Sequence, residues 1–305
     1  MNINMLADSD NDAGFYAAAN GVNASWRGAS LLRSSDAGQS YAVVGAFDTP
    51  AVIGVTTNAL GLFYGGNIPD EMNSLTVNLN HGDFSSGSLS SVTYASFLNG
   101  TQSALVGDEV ICFRDAVLNP DGSYTLTGLL RGRRGSGYAS AGHVSGERFV
   151  LLSSSAIKRI NDVTASIGAE RLYKAVTLGA VNAVPQAFTN VGAGLKPYAP
   201  VNLGGGRDAE ANLQMKWVRC NRIGFEWRDG VDTPMSEAAE SYELEIYSGF
   251  SFASVKRVIA TSAPQADYTS AQQIEDFGVV QSTVYFRVYQ LSAVVGRGYS
   301  AQKAI

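Results

Sequence analysis

Gly128-Leu129-Leu130-Arg131-Gly132-Arg133-Arg134-Gly135-Ser136-Gly137-Tyr138, running on through Ala141-Gly142-His143 to Gly146-Glu147-Arg148-Phe149-Val150-Leu151-Leu152, is an arginine- and glycine-rich crossing between two apolar runs. Just upstream, Glu109-Val110-Ile111-Cys112-Phe113-Arg114-Asp115-Ala116-Val117-Leu118 is apolar and β-prone. Asn119-Pro120-Asp121-Gly122 then supplies a preset φ at proline and a left-handed position at glycine before Tyr124-Thr125-Leu126-Thr127. The pattern predicts a β-hairpin followed by a strand-to-strand crossing, with the next strand over 148–152. Arg131, Arg133 and Arg134 sit on the crossing, where glycine lets backbone and guanidinium groups come close to an anion. The chain is acidic overall, at net charge −5, and no G-x-x-x-x-G-K-[ST] order is present. These arginines are therefore expected to pair with acidic side chains across a domain or subunit contact.

The same strand chemistry extends in both directions. Leu31-Leu32-Arg33 and Tyr41-Ala42-Val43-Val44 flank Ser34-Ser35-Asp36-Ala37-Gly38-Gln39-Ser40, which fits the S-x-D-x-G-x-x-aromatic pattern of an aspartate-box hairpin. Asp36 is expected to accept turn amide protons and Gly38 to take a positive φ. Leu75, Val77 and Leu79 alternate with Thr76, Asn78 and Asn80, with His81 at the end of the apolar face. A further strand is expected over 171–176, before a proline- and glycine-punctuated stretch to Pro200. Beyond it, Leu213, Met215 and Trp217, then Tyr242, Leu244 and Ile246, then Val284, Phe286 and Val288 each alternate with outward residues. Short alternating strands, an early tryptophan and no cysteine pair predict a fibronectin type III-like sandwich. One helix is expected over 270–277, closed by Gly278, with Ser270 and Gln273 at capping-box spacing. The expected division is a β-rich domain over 1–153, a connecting segment over 154–195 and the sandwich over 196–305.

With 305 residues the chain is long enough for two domains of ordinary size. Charged residues make up only 16% of it, against about 25% in a typical chain, and glycine, serine, asparagine and tyrosine fill the gap. That mix favours an all-β class. The acidic balance gives no footprint for nucleic acid. The amino terminus lacks a basic and then apolar leader, and no apolar run approaches spanning length, so neither a signal peptide nor membrane insertion is expected. Cys112 and Cys220 are read as buried free thiols, since no short metal-ligand spacing accompanies them.

Catalytic patterns are weak. His81 and His143 stand outside any serine, cysteine or zinc motif, and no G-x-S-x-G elbow appears. Asp108-Glu109 and Glu275-Asp276 are adjacent in sequence, so on a strand they face opposite ways and do not make an acid–base pair by themselves. One aspartate box without a repeat does not make a propeller. Hence no enzyme, cofactor, metal or catalytic residue is expected. Phe250 and Phe252, near a loop tip in Tyr247-Ser248-Gly249-Phe250-Ser251-Phe252-Ala253-Ser254, are the candidates for receptor contact.

The 128–152 crossing resembles a signature of the C-terminal region of the tail-tip (host specificity, central hub and fibre) protein of siphophages and gene transfer agents. Other segments resemble that family in the same order: Trp26-Arg27-Gly28-Ala29 with Ser35-Asp36-Ala37-Gly38; Phe97-Leu98-Asn99-Gly100 before Leu105-Val106-Gly107-Asp108-Glu109-Val110; Trp227-Arg228 with Pro234-Met235-Ser236-Glu237 and Glu240-Ser241-Tyr242; and Tyr289-Gln290-Leu291-Ser292-Ala293-Val294-Val295-Gly296-Arg297-Gly298. The resemblance implies a non-enzymatic structural and host-recognition component at the distal tail tip of a virion. It implies a homotrimer, contact with other tail-tip and hub proteins, and a glycan or protein receptor on the host surface. The chain begins where the family's C-terminal region would begin. The competing expectation is a carbohydrate-active enzyme or carbohydrate-binding module for host surface glycans. A cell-surface adhesin would share the sandwich.

Overall fold

The computed structural model describes residues 1–21, 25–80, 89–179, 183–224 and 229–305. His81 and the Trp227-Arg228 pair lie outside the described residues. The chain is all-β and forms two compact units, Met1–Asn4 with Asp12–Gly194, and Met5–Asn11 with Leu195–Ile305.

Strands of the first unit are, in chain order, β1 (Phe15–Ala17), β2 (Ala29–Ser34), β3 (Ala42–Phe47), β4 (Ile53–Thr56), β5 (Leu75–Leu79), β6 (Ser103–Val106), β7 (Glu109–Leu118), β8 (Tyr124–Arg133), β9 (Arg148–Leu151), β10 (Lys158–Ile160), β11 (Glu170–Thr177) and β12 (Gln186–Thr189). Six of them close a barrel in the order β4-β5-β8-β7-β6-β9. Closure leaves no open edge, and the inward side chains, among them Leu75, Val77, Ile111, Phe113, Leu126 and Phe149, fill the interior. The expected hairpin is β7–β8, with Gly122 at φ +85° and Asn119 N donating to Ser123 O at 2.8 Å. Along β8, Tyr124 and Leu126 face inward, yet so does Leu129. Gly128, at φ +62°, is where the inward face changes from even to odd positions. Leu130 consequently points outward, into a small cluster with Phe97 and Cys112. Phe97 belongs to a helix the sequence pattern does not anticipate, α1 (Tyr94–Leu98), capped by the Thr93 side chain.

The sheet β12-β11-β2-β3 and the pair β1-β10 complete this unit. Here the structure corrects the expected boundaries. Residues 154–195, expected to connect two domains, contribute β10, β11 and β12 and lie almost wholly within the first unit. The physical reason is register: β11 pairs with β2 from Leu172–Ser34 to Thr177–Ala29, so the late segment completes a sheet begun near the amino terminus.

The second unit holds β13 (Val201–Arg207), β14 (Leu213–Val218), β15 (Tyr242–Tyr247), β16 (Val255–Thr261), β17 (Gln265–Tyr268), α2 (Ser270–Phe277), β18 (Tyr285–Ser292) and β19 (Gly296–Ala304). Its sheets run β13-β14-β17 and β16-β15-β18-β19, a three-plus-four sandwich of fibronectin type III-like form. The alternating residues of β14, β15 and β18 meet between the sheets, with Met215, Tyr242, Leu244, Ile246, Phe286 and Val288 fully buried. The cap of α2 falls one residue earlier than expected. Thr269 Oγ1 accepts from Gln272 N at 3.2 Å and Gln272 Oε1 accepts from Thr269 N at 2.9 Å, while Gln273 is buried and donates to Ala211 O and Tyr268 O.

A buried ion cluster at the barrel end

The crossing gathers charged groups inside the first unit. β8 carries Arg131 inward, β7 opens with Glu109, and the loop between β4 and β5 brings Asp70 against β8 through a two-way backbone pairing with Leu129. Arg131 Nε donates to both Glu109 oxygens at 3.0 and 3.1 Å, and Nη2 donates to Glu109 Oε2 at 2.9 Å. Nη1 donates to Asp70 Oδ2 at 3.2 Å and Gly61 O at 2.8 Å, and Nη2 also reaches Ser140 O at 3.2 Å. Every guanidinium nitrogen is satisfied, with the side chain only 3% exposed. Such planar, multidentate pairing is the geometry for which arginine is suited and lysine is not.

His143 extends the cluster. Its Nε2 lies 2.8 Å from Glu109 Oε2 and its Nδ1 2.6 Å from Glu147 Oε2. A carboxylate at each nitrogen suits the doubly protonated ring. The Glu109 hydrogen bond, with that of Glu147 behind it, raises the His143 pKa against the opposing effect of burial. Burial alone would push Glu109 upward, but hydrogen bonds from His143 and Arg131 hold it below the usual carboxylate value. Gly132 N completes the cage by donating to Glu109 Oε1 at 2.6 Å. Gly132 has φ +59°, and a Cβ there would stand 2.9 Å from Gly137 Cα, which explains the glycine spacing of the crossing.

His143 has a raised folded value, so its contribution is full below the ordinary histidine pKa and is lost as pH rises through the folded value. Thermal melts should therefore show the first unit losing stability as pH rises above the ordinary histidine pKa, by no more than about 1.4 kcal/mol per pH unit for the one proton. His143→Gln should flatten that slope. An unchanged slope in the variant would remove His143 from the cause.

Sequence expectations for the site residues divide. Arg131 is corrected: it pairs inside its own barrel and not across a domain or subunit contact, because Glu109 and Asp70 converge on it from two neighbouring elements. Arg133 is half-buried, and Arg134 is exposed with φ +56° and accepts at its carbonyl from Asn4 Nδ2 at 2.6 Å. Asp36 and Gly38 occupy the hairpin between β2 and β3. Asp36 accepts from Ser40 N at 2.9 Å and from the Ser40 and Ser34 hydroxyls, and Gly38 has φ +92°. Those bonds, the Ser40 hydroxyl first, hold Asp36 at about 2.

Phe250 and Phe252 part company. Phe250 is 81% exposed, whereas Phe252 packs edge-on against Tyr247 and Tyr285 at 5.3 and 6.0 Å and lies under the Arg287 guanidinium. Phe252 thus supports its own sheet and is half-buried, while Phe250 alone of the two stands clear. Cys112 is buried and Cys220 half-buried, and burial pushes both thiols up. Sequence reading missed Glu109, Asp70 and Glu147 as partners of the crossing. It also missed the buried pair Arg222–Glu237 at 2.9 Å, which holds Asn11 of the amino-terminal segment through Arg222 Nη1. Among the described residues, no group of three or more His, Cys, Asp or Glu is arranged to hold a metal ion, and no helix is long and apolar enough to cross a membrane.

Fold and site together define an all-β protein, a barrel with a buried ion cluster and a fibronectin type III-like sandwich. A family model described as Rcc01698-like, C-terminal, matches residues 51–150, the stretch that carries β4 to β9 almost to its last residue. No curated protein matches the chain. Among solved structures it is similar to the rat CD45 extracellular region, domains d3-d4, at 13% identity and TM-score 0.27, covering 48% of this chain and 66% of that one. It is also similar to the chicken CNTN1 FN1-FN3 domains, at 7% identity and TM-score 0.26, covering 90% of each chain.

Proposed function

We propose that the chain is a structural and host-recognition component of a phage tail tip, a C-terminal portion of a central hub or fibre protein that acts as a homotrimer and without catalysis. The observation that supports this reading is the use made of the signature crossing. Its arginine and histidine are consumed in closing and bracing a barrel: both ring nitrogens of His143 face carboxylates, and Glu109 is held by Arg131, His143 and Gly132 together. A general base or nucleophile needs an uncommitted atom facing substrate; Arg131, Glu109 and His143 are each committed to partners within the cluster, and Glu147 bonds His143. The crossing is scaffold. Recognition is assigned to the sandwich, where Phe250 stands clear of its sheet and has the exposed aromatic surface that partners bind. Partners are other tail-tip and hub proteins on one side and a host surface receptor on the other.

Virions carrying Phe250→Ser should assemble normal tails and adsorb more slowly, and deletion of 196–305 should reduce adsorption or tip assembly more severely. Adsorption rate constants measured on whole particles check this. Normal tails with unchanged adsorption in both variants would contradict the reading.

A further inference from the structure

The outer face of the sheet β13-β14-β17 carries a groove of about 710 Å³. Its origin is in the sequence of β13, Val-Asn-Leu-Gly-Gly-Gly-Arg. Gly204 pairs with Lys216 and Gly206 with Gln214, so both glycines share the outward face of those exposed residues, and Gly205 pairs with buried Met215 on the core side. On the far strand, Gln265 and Asp267 continue the same two rows. Two successive outward positions without side chains leave the edge strand as a bare backbone floor. A Cβ at Gly204 or Gly206 would meet nothing within 4 Å. The strip is therefore not required by packing within the sandwich.

Every side chain in the lining ends in a polar group, above a floor of glycine carbon. Lys216 makes no hydrogen bond among the described residues, and Gln214 uses its amide only towards Asp267 Oδ1, at 3.3 Å. Asn212 and Thr269 stand at the end of the groove beside α2. Arg207 and Asp208 are occupied within the sandwich, the first by Ala211 O, Gln273 Oε1 and Gln281 O, the second by Asn212 and the amide of Glu210. What remains is one ammonium, one carboxylate and one amide on outward positions of neighbouring strands, with the Gln214 amide 3.3 Å from Asp267. Opposite charges in equal number select neither an anion nor a cation. No apolar side chain lines the groove, and its carbon surface comes from glycine Cα atoms and the aliphatic stems of polar residues. A ligand with many groups that each donate and accept matches such walls, and one presenting flat C–H surface matches a glycine floor.

We propose that this groove binds an oligosaccharide, its ring seated over Gly204 and Gly206 and its hydroxyls bonded by Lys216, Gln214 and Asp267. The site is separate from Phe250 and goes beyond the tail-tip reading, which neither requires it nor falls with it. Lys216 and Asp267 bond hydroxyls as charge-assisted donor and acceptor, and Gln214 bridges between them.

The test uses the full chain on an array of short neutral and uronic-acid-containing oligosaccharides, with extended peptides printed as controls, followed by titration calorimetry of the strongest saccharide. The expected result is saccharide binding that falls at least about tenfold in the Gly204→Ile/Gly206→Ile double variant and in Lys216→Ala. Phe250→Ser should bind as the parent does. Isoleucine suits a strand and fills the floor, and thermal melts verify that each variant folds; Lys216→Ala carries the test alone should the double variant fail to fold. No saccharide bound by the parent chain, affinity unchanged by filling the floor and removing Lys216, or selective capture of the peptides would overturn the proposal.

Discussion

Glu109→Ala should destabilise the first unit by about 3–5 kcal/mol, the cost of removing one partner from a buried ion pair. The carboxylate accepts from Arg131, Gly132 and His143 at once, and its side chain is wholly buried. Without it the guanidinium keeps only Asp70 and two carbonyls, and His143 keeps only Glu147. A buried cation short of its counter-charge is the expensive outcome, and the chain avoids it only by opening the barrel end. Glu71→Ala is the matched control. Glu71 also bonds an arginine, Arg114, at 2.5 Å, but is half exposed, and its loss should cost less than about 1 kcal/mol. Urea denaturation of the two variants compares them directly. Equal and small effects would mean that the cluster does not brace the barrel.

Phe286→Ala should cost the sandwich about 3–5 kcal/mol. Phe286 is fully buried near the start of β18, paired with Ile246 on one side and Lys303 on the other. Its ring fills the space between the two sheets, and those sheets cannot collapse around a void while their backbone ladders hold them apart. Phe252→Ala provides the contrast: its two edge-on ring contacts on the outer face are worth about 0.5–1.5 kcal/mol each. The same denaturation series, read by tryptophan fluorescence from Trp217 in this core, separates them. A Phe286 variant no weaker than the Phe252 variant would contradict the assigned core.

What the sequence reveals is what short-range chemistry determines. Leu213, Met215 and Trp217 alternate because one face of β14 is buried, and the β7–β8 turn is marked by Gly122, whose φ of +85° few residues adopt, and by Asp121, whose Oδ1 accepts from Ser123 N. Both are written within a few neighbouring positions. Barrel closure is not, since β9 finds β4 and β6 across long stretches of chain. The partners of Arg131 stand 22 and 61 residues away, so its neighbours on the crossing give no hint whether its counter-charge is internal or on another chain. Proline and glycine between 179 and 200 punctuate short strands as readily as a linker, and only the pairing of β11 with β2 decides between them. At α2, Thr269 and Gln272 have the same capping spacing as Ser270 and Gln273. Burial of Gln273 against two carbonyls selects the first pair, a tertiary effect that local spacing does not contain.

Cryo-electron microscopy of purified virions whose copy of this chain bears a small density tag decides whether the chain is a tail-tip component. Tag density is expected at the distal end of the tail, related by threefold symmetry about the tail axis. Particles that lack the chain, or that carry it away from the tip, would contradict this placement.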